Sequence, residues 1–341
     1  MAHQLRWGIL STGNIARQFA TGVTASQRGT LAAVGSRSTA TAQNFAKTFK
    51  IPAAHGNYAA AISDPNVDAV YNALPNSMHH EWTIAALKAG KHVLCEKPLA
   101  SNVSQAREMF DVATQTGRML IEAFMYRSHP QTLAVVDAVA SGVIGKVKLI
   151  RTSFCFRTSR PDNNIRFSRE LAGGALMDIG CYCVNFSRTV AKTEPVSMTA
   201  TGVLHASGID ERAAGTLSFP NGIIASFACG MTLHADNSAY ICGDEGYIEI
   251  PVPWKPPMGD AKFIIARSTP PRMDSAGKAI PAAPPRETTR VESTEDLYAI
   301  EADDFAAAVA GERPVRITAA DSIGNMTVLD ELRRQVGVIF P

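Results

Sequence analysis

Apolar positions in the first third of the chain fall in short runs, at residues 5–10, 30–35, 69–74, 92–95 and 119–123. Segments of helical spacing separate them. Residues 14–25 place Ile15, Phe19 and Val23 on one face, and residues 40–49 place Phe45 and Phe49 four apart. Two further helices are predicted at 81–89, closed by Gly90, and at 104–116. Fully apolar strands alternating with helices predict a parallel sheet covered on both faces. Near residue 145 the pattern changes. Residues 146–156, 197–204, 214–219, 223–229 and 239–250 alternate apolar and polar, as antiparallel strands with one wet face do. Asn221-Gly222 is a hairpin turn signal between two of them. One long helix, 175–190, interrupts this half. Residues 251–296 are rich in proline and polar residues and read as a surface loop carrying one more strand pair. Residues 298–310 and 322–336 read as terminal amphipathic helices. The expected fold class is α/β: a Rossmann-type domain over 1–123, then an α/β domain over 124–341 with a large, mostly antiparallel sheet.

Composition changes this picture little. The 341 residues are 46% hydrophobic and 19% charged, which suits two globular domains. A net charge of +2 argues against a nucleic-acid partner. No apolar run reaches the length of a membrane span. MAHQLRWGIL lacks the pattern of an export signal, so a cytoplasmic protein is expected. Six cysteines (95, 155, 181, 183, 229 and 242) form no CxxC pair and have no histidines at zinc-like spacing. Free thiols and no metal are expected. The charge distribution is more telling. The first acidic residue is Asp64, preceded by Arg6, Arg17, Arg28, Arg37, Lys47 and Lys50. A segment with cations alone suggests an anionic ligand, most simply phosphate.

The first strand leads into Ser11-Thr12-Gly13-Asn14-Ile15-Ala16. Against the dinucleotide fingerprint GxGxxG/A, Ser11, Gly13 and Ala16 take the three marked positions. Gly13 would let the backbone approach a pyrophosphate held on the helix N-terminus. About 20 residues on, where an acid would bind the ribose of NAD, the chain reads Ser36-Arg37-Ser38. Two hydroxyls and a guanidinium suit a 2'-phosphate, so NADP is expected over NAD. Strand ends carry Leu74-Pro75-Asn76, with His79 beyond, and Glu96-Lys97-Pro98. Ligands of open parallel sheets bind at such ends. In the second half Gly173-Gly174 opens a helix with Asp178 and Tyr182 four apart on one face.

Together these motifs resemble the Gfo/Idh/MocA oxidoreductase family. The segments Glu122-Ala-Phe-Met-Tyr-Arg127-x-His129-Pro130, Asn164-Ile-Arg166-Phe and 172–182 resemble its branch with dimeric dihydrodiol dehydrogenase, NADP-dependent D-xylose dehydrogenase and glucose–fructose oxidoreductase. The resemblance covers nearly the whole chain and is weakest over 251–296. It implies that Lys97 sits by the nicotinamide and substrate, that Tyr182 is the acid/base, and that a cis peptide precedes Pro98. It also implies that Arg127 joins the cofactor set and that the open face of the second sheet serves subunit association, as a homodimer or homotetramer.

The expected chemistry is reversible hydride transfer between the nicotinamide and a carbinol carbon of a sugar, polyol or trans-diol. Tyr182 would act as base, with Lys97 lowering its pKa. Asp178 would orient Lys97 or the substrate. Arg166 and His79 would help bind substrate. Glu96 would contact the cofactor or balance charge. A reductase of a keto sugar or dicarbonyl would use the same residues. A non-catalytic cofactor sensor would not need Lys97, Asp178 and Tyr182 intact.

Overall fold

The fold is taken from a computed structural model that describes residues 4–162, 164–280 and 283–341. Residues 1–3 of the leader reading and 281–282 of the 251–296 segment lie outside the described residues. The first half builds a six-stranded sheet from β1 (Leu5–Leu10), β2 (Gly29–Gly35), β3 (Ala53–His55), β4 (Ala69–Asn72), β5 (His92–Glu96) and β6 (Leu120–Ala123). All pairings are parallel, in the order β3-β2-β1-β4-β5-β6. The order reverses between β1 and β4, the switch point where such sheets leave a crevice at their carboxyl ends. The connecting helices are α1 (Asn14–Ala25), α2 (Thr39–Phe49), α3 (Tyr58–Ile62), α4 (His79–Lys88) and α5 (Val103–Thr116). Strand β3 and helix α3 are missing from the sequence reading, because three residues and five are too few to show a period.

The second half begins with α6 (Pro130–Ala140), which the sequence reading also lacks. Pro130 occupies its first turn and the His129 side chain caps it. Eight strands then form one sheet: β7 (Val147–Cys155), β8 (Ser197–Leu204), β9 (Asp210–Ser218), β10 (Ile224–Gly230), β11 (Ala239–Gly243), β12 (Gly246–Ile250), β13 (Ala261–Arg267) and β16 (Arg286–Val291). Two-residue strands β14 (Arg272–Met273) and β15 (Ala279–Ile280) pair separately between β13 and β16. Every pairing in the large sheet is antiparallel except β7 with β10. The single alternating run read over 239–250 is a hairpin, β11 and β12, turning at Asp244 and Glu245. Helix α7 (Cys181–Ala191) packs against β7 and β10 and is preceded by a π-helical turn, Leu176–Gly180. Among the described residues, no helix is long and apolar enough to cross a membrane.

The last two helices, α8 (Leu297–Val309) and α9 (Ala319–Val336), return to the first half. Helix α8 is largely buried rather than amphipathic and lies on α1. Phe305 meets Trp7 of β1 at 5.1 Å, Trp7 meets Phe19 of α1 edge-on at 5.1 Å, and Phe19 stacks on Tyr71 of β4 at 3.7 Å. The close approach of α8 requires Gly22, where a Cβ would stand 2.5 Å from the Cβ of Tyr298 and 2.7 Å from the backbone of Ala299. Helix propensity favours alanine over glycine by about 1 kcal/mol. Overpacking against backbone outweighs this here. Gly22→Ala is therefore expected to destabilise the protein by roughly 1–2 kcal/mol, read as a lower urea midpoint at unchanged slope.

Candidate active site

The α1 N-terminus is built to receive an anion. Ser11 hydrogen-bonds back to Gly35 at 3.0 Å and holds φ at +110°, where glycine would be relaxed. Its Oγ accepts the Gly13 amide at 3.1 Å. No side chain caps α1 and its first turn holds no acid, so the amides of Asn14, Ile15 and Ala16 have no partner within the helix. Thr12, Gly13 and Asn14 are at least partly exposed. Next to this turn, Ser36 is buried, with its amide on the His55 carbonyl, while Arg37 and Ser38 are exposed. Ser38 caps α2, whose first turn also lacks an acid. A pyrophosphate at α1 and a 2'-phosphate at Ser36–Ser38 fit these donors.

Two strand spacings away, about 10 Å, the end of β5 meets the second half. The Lys97–Pro98 peptide is cis. Lys97 Nζ donates to the Asp178 carbonyl at 2.8 Å and to Asp178 Oδ1 at 3.2 Å. Arg166 Nε donates to Asp178 Oδ2 at 2.6 Å. Lys97 Nζ also lies 5.2 Å from the centre of the Tyr182 ring. Thus Lys97, Asp178, Tyr182 and Arg166 converge. Burial opposes charge on Lys97, but Asp178 and its other anionic neighbours outweigh it and hold the ammonium above its ordinary value. Burial likewise opposes charge on Asp178, and Lys97 and Arg166 reverse that, keeping it below the usual carboxylate range.

The glycine pair and the π turn fix Asp178. A Cβ on Gly173 would stand 2.3 Å from the Arg166 carbonyl, and one on Gly174 would stand 2.3 Å from Asp210 Oδ1. Gly174 has φ +117°. Its amide donates to the Arg166 carbonyl at 2.8 Å, so the arginine's backbone is tied to the helix start. Asp210 Oδ2 accepts the Leu176 amide at 2.7 Å and caps the π turn from β9. Asn76 Nδ2 reaches the Ala172 carbonyl at 2.8 Å, joining the end of β4 to this loop.

Four of the expected residues have surroundings that the sequence reading did not foresee. Burial raises the Tyr182 phenol well above its ordinary value, and anionic neighbours including Glu96 and Asp178 add to this. Lys97 faces the ring and Asp178, and the hydroxyl rests 3.4 Å from Met125 Sδ. The phenolate expected beside Lys97 is therefore not favoured. His79 is fully buried, with Nδ1 and Nε2 at 2.9 and 2.8 Å from the carbonyls of Pro98 and Leu74. It braces the β4 and β5 ends against each other, with both ring nitrogens occupied. Glu96 turns inward, accepting from the Tyr71 hydroxyl and from the Lys97 amide at 3.2 Å. Arg127 spends both terminal nitrogens on Asn185, Asp321 and the Arg316 carbonyl, tying the halves together. Leu74 is buried and Pro75 partly exposed at the β4 end. No group of three metal-ligating side chains occurs among the described residues.

Rings to which the sequence reading gave no role complete the site. The Tyr182 ring is boxed by Phe124 (5.2 Å), Phe154 (5.4 Å), Tyr126 (5.8 Å) and Trp254 (6.0 Å). Trp254 stacks on Phe154 at 5.7 Å and donates to the Ser153 carbonyl at 2.8 Å. The 251–296 segment is thus not wholly a surface loop. Its one tryptophan, unusual amid prolines, was the available signal.

Residues 5–124 match the model of the oxidoreductase family with NAD-binding Rossmann fold, Gfo/Idh/MocA, and residues 132–249 match the C-terminal domain of that family. The chain belongs to the Gfo/Idh/MocA oxidoreductase family. Trans-1,2-dihydrobenzene-1,2-diol dehydrogenase of Xenopus laevis is 33% identical over 98% of this chain and 99% of its own. D-xylose 1-dehydrogenase (NADP(+)) 2 of Haloferax volcanii is 32% identical over 96% of each. A crystal structure of a 3-ketoreductase from Actinomadura kijaniata with NADP and TDP-benzene superposes with a TM-score of 0.85 at 28% identity, covering 98% of both chains.

Two buried carboxyls beneath this oxidoreductase site lead to a pH prediction. Glu122 of β6 accepts the Leu99 amide at 2.9 Å and so holds the loop after Lys97. Burial pushes Glu122 from 4.5 up to about 7, and Asp210 from 3.8 up to about 7. Between the unfolded and folded values the native state keeps protons that the unfolded chain has released, so this stabilisation is full below about pH 4 and is lost as pH rises through 7. Chemical denaturation at several pH values is expected to show stability falling over that window. Glu122→Gln should flatten the slope.

Proposed function

We propose that this protein is an NADP-dependent oxidoreductase acting on a CH–OH or C=O carbon of a sugar, polyol or diol. The observation that carries the reading is the meeting of Lys97, Asp178 and Tyr182 at the strand ends beside the uncapped α1 turn. The names of the relatives agree with it. A nicotinamide cofactor held by its phosphates at that turn would supply or accept hydride at the substrate carbon. Lys97 donates a hydrogen bond to the substrate oxygen, and Tyr182 moves the proton there. Asp178 keeps Lys97 charged and aimed. Burial raises the Tyr182 phenol, so in the reduction direction it is set to give a proton to a developing alkoxide. Arg37 and the two serines hold the 2'-phosphate.

The test follows absorbance at 340 nm with NADPH against sugar-derived and dicarbonyl substrates, and with NADP+ against aldoses, polyols and trans-diols. Lys97→Met and Tyr182→Phe should each lower kcat by about 10²–10⁴. They should leave NADPH affinity near wild type. Arg37→Ala should weaken NADPH while sparing NADH. Full turnover in Tyr182→Phe would remove the tyrosine from the proton path, and equal wild-type affinity for both cofactors would remove the NADP assignment.

The same reading includes subunit association through the second sheet. Strand register sets Ile224, Leu149, Cys242 and Tyr247 in one row on the face away from α7. Each is at least partly exposed, Ile224 to 49%. An apolar row on a flat sheet suits a second copy of the chain. Light scattering is expected to give a dimer or tetramer mass, and Ile224→Glu to shift it towards the monomer. A wild-type monomer at micromolar concentration would remove this assignment.

A further inference from the structure

Two loops carry the groups that meet at Asp178. The loop between β5 and α5 holds Lys97, and the loop ahead of the π turn holds Arg166 and the glycine pair. Helix α9 grips the first of them. Arg333, whose side chain is only 8% exposed, donates to the Ser101 carbonyl at 2.9 Å. It also pairs with Asp330 at 2.5 Å, and the other oxygen of Asp330 accepts the Val103 amide at 2.8 Å. The Lys97 loop is thus fastened to α9 where it enters α5.

Beyond α9 the chain turns at Gly337, with φ +88°, and crosses to the second loop. The buried Val338 donates its amide to the Arg333 carbonyl at 3.0 Å. The Ile339 carbonyl accepts Arg169 Nε at 2.6 Å. The Phe340 ring lies 4.2 Å from the Arg333 guanidinium, whose Nε is buried without a hydrogen-bond partner. A ring face is a favourable cover for that cation. Arg169 belongs to the same turn as the glycine pair. Its carbonyl accepts the Ala172 amide at 3.1 Å, next to the Gly173 amide on the Ser168 carbonyl at 2.9 Å and the Gly174 amide on Arg166. A cavity of about 350 Å³, whose lining includes Ser77, Ser101, Arg169, Arg333 and Phe340, lies between the loops. On this side they are joined by the C-terminal segment and not by packing on each other.

We propose that Arg333, Arg169 and the segment Val338–Phe340 form a clamp that positions the active site, holding the Lys97 loop and the Arg166 loop at the separation that sets the contact of Lys97 with Asp178. These are positioning residues, since each acts through a loop and none reaches the reacting atoms. The lever arms are short: Ser101 stands four positions from Lys97, and Arg169 three from Arg166. A displacement of about 1 Å at a reacting centre can cost about a hundredfold in rate. The effect on turnover rests on the oxidoreductase reading above, and the clamp itself rests on the contacts alone.

The test uses the full-length protein with Arg169→Ala and Phe340→Ala, both outside the catalytic set. Hydrogen–deuterium exchange is read at the amides of Val103, Gly173 and Gly174, all of them hydrogen-bonded. Each variant is expected to speed exchange about tenfold in the loop it does not belong to: Val103 in Arg169→Ala, Gly173 and Gly174 in Phe340→Ala. The double variant should exchange no faster than the faster single one, because both break one bridge. Phe340→Tyr keeps the ring and should exchange as the wild type does. For the substrate that responds in the 340 nm assay, kcat should fall about tenfold or more in both alanine variants and recover in Phe340→Tyr. KM should change less than kcat, and NADPH affinity should stay near wild type. Exchange that quickens only in the loop carrying the substitution, or nowhere, overturns the clamp. Faster exchange in both loops with unchanged kcat overturns its positioning role. If the wild-type protein binds no NADPH, the oxidoreductase reading falls, and exchange alone decides the clamp.

Discussion

Asp178 stands nearly buried between two cations that reach it from separate parts of the chain, Lys97 from the end of β5 and Arg166 from the loop before the π turn. Dehydrating three charges is expensive, and Coulomb attraction offsets that cost only when geometry is good and the remaining valences are filled. Here they are. Each carboxylate oxygen has its own donor, and the lysine ammonium takes the Asp178 carbonyl as well. This one carboxylate therefore does two things. It joins the end of the parallel sheet to the helix of the second sheet, and it keeps a buried lysine protonated beside Tyr182. Removing it would leave Lys97 without its main counter-charge in a dehydrated place, a worse outcome than never having buried the pair.

The position of Asp178 in turn depends on a helix start that is not an ordinary one. A π turn places 176–180 ahead of regular α geometry, and its first amides need partners that helix bonding does not give them. Asp210 supplies one acceptor from the start of β9. Gly174 makes room for that carboxylate, and Gly173 makes room for the Arg166 backbone. The flexible glycine pair of the sequence is thus a packing requirement. It seats a cap on one side and the arginine loop on the other. The aromatic column from Phe305 through Trp7 and Phe19 to Tyr71 ends at Glu96, so the core of the first half also braces the residue next to Lys97.

Which features were legible follows from how locally each is encoded. Strands β1, β4 and β5 and helix α1 carry their period within a few residues, and their bounds were read within two positions. The α1 turn was legible because its chemistry is contiguous. The meeting of Lys97 with Asp178 was legible only through the family's motifs, since 81 residues separate them and no spacing rule joins them. What the sequence did not show was direction. His79, Glu96 and Arg127 sit beside the site in sequence, yet each side chain turns inward to a partner far along the chain or on a neighbouring loop. Trp254 was hidden for the opposite reason. Prolines mark irregular backbone, and irregular backbone was equated with surface, although a loop anchored by a buried indole reaches a site as well as a strand does.

The aromatic box sets the form in which Tyr182 stands. Four rings surround Tyr182, and an uncharged phenol is the form that such a box tolerates. Lys97 is close enough to interact with the ring but directs its hydrogen bonds to Asp178, so its charge is already balanced and does little to draw off the phenolic proton. On the reading proposed above, a substrate oxygen entering between them would change that balance. An alkoxide forming there would take a hydrogen bond from the ammonium and the proton from the phenol. The reverse reaction must put the proton back on a tyrosinate that the box disfavours. The apolar surroundings therefore set the form in which the tyrosine waits, the neutral phenol, and that preference strengthens as water is excluded by bound ligands.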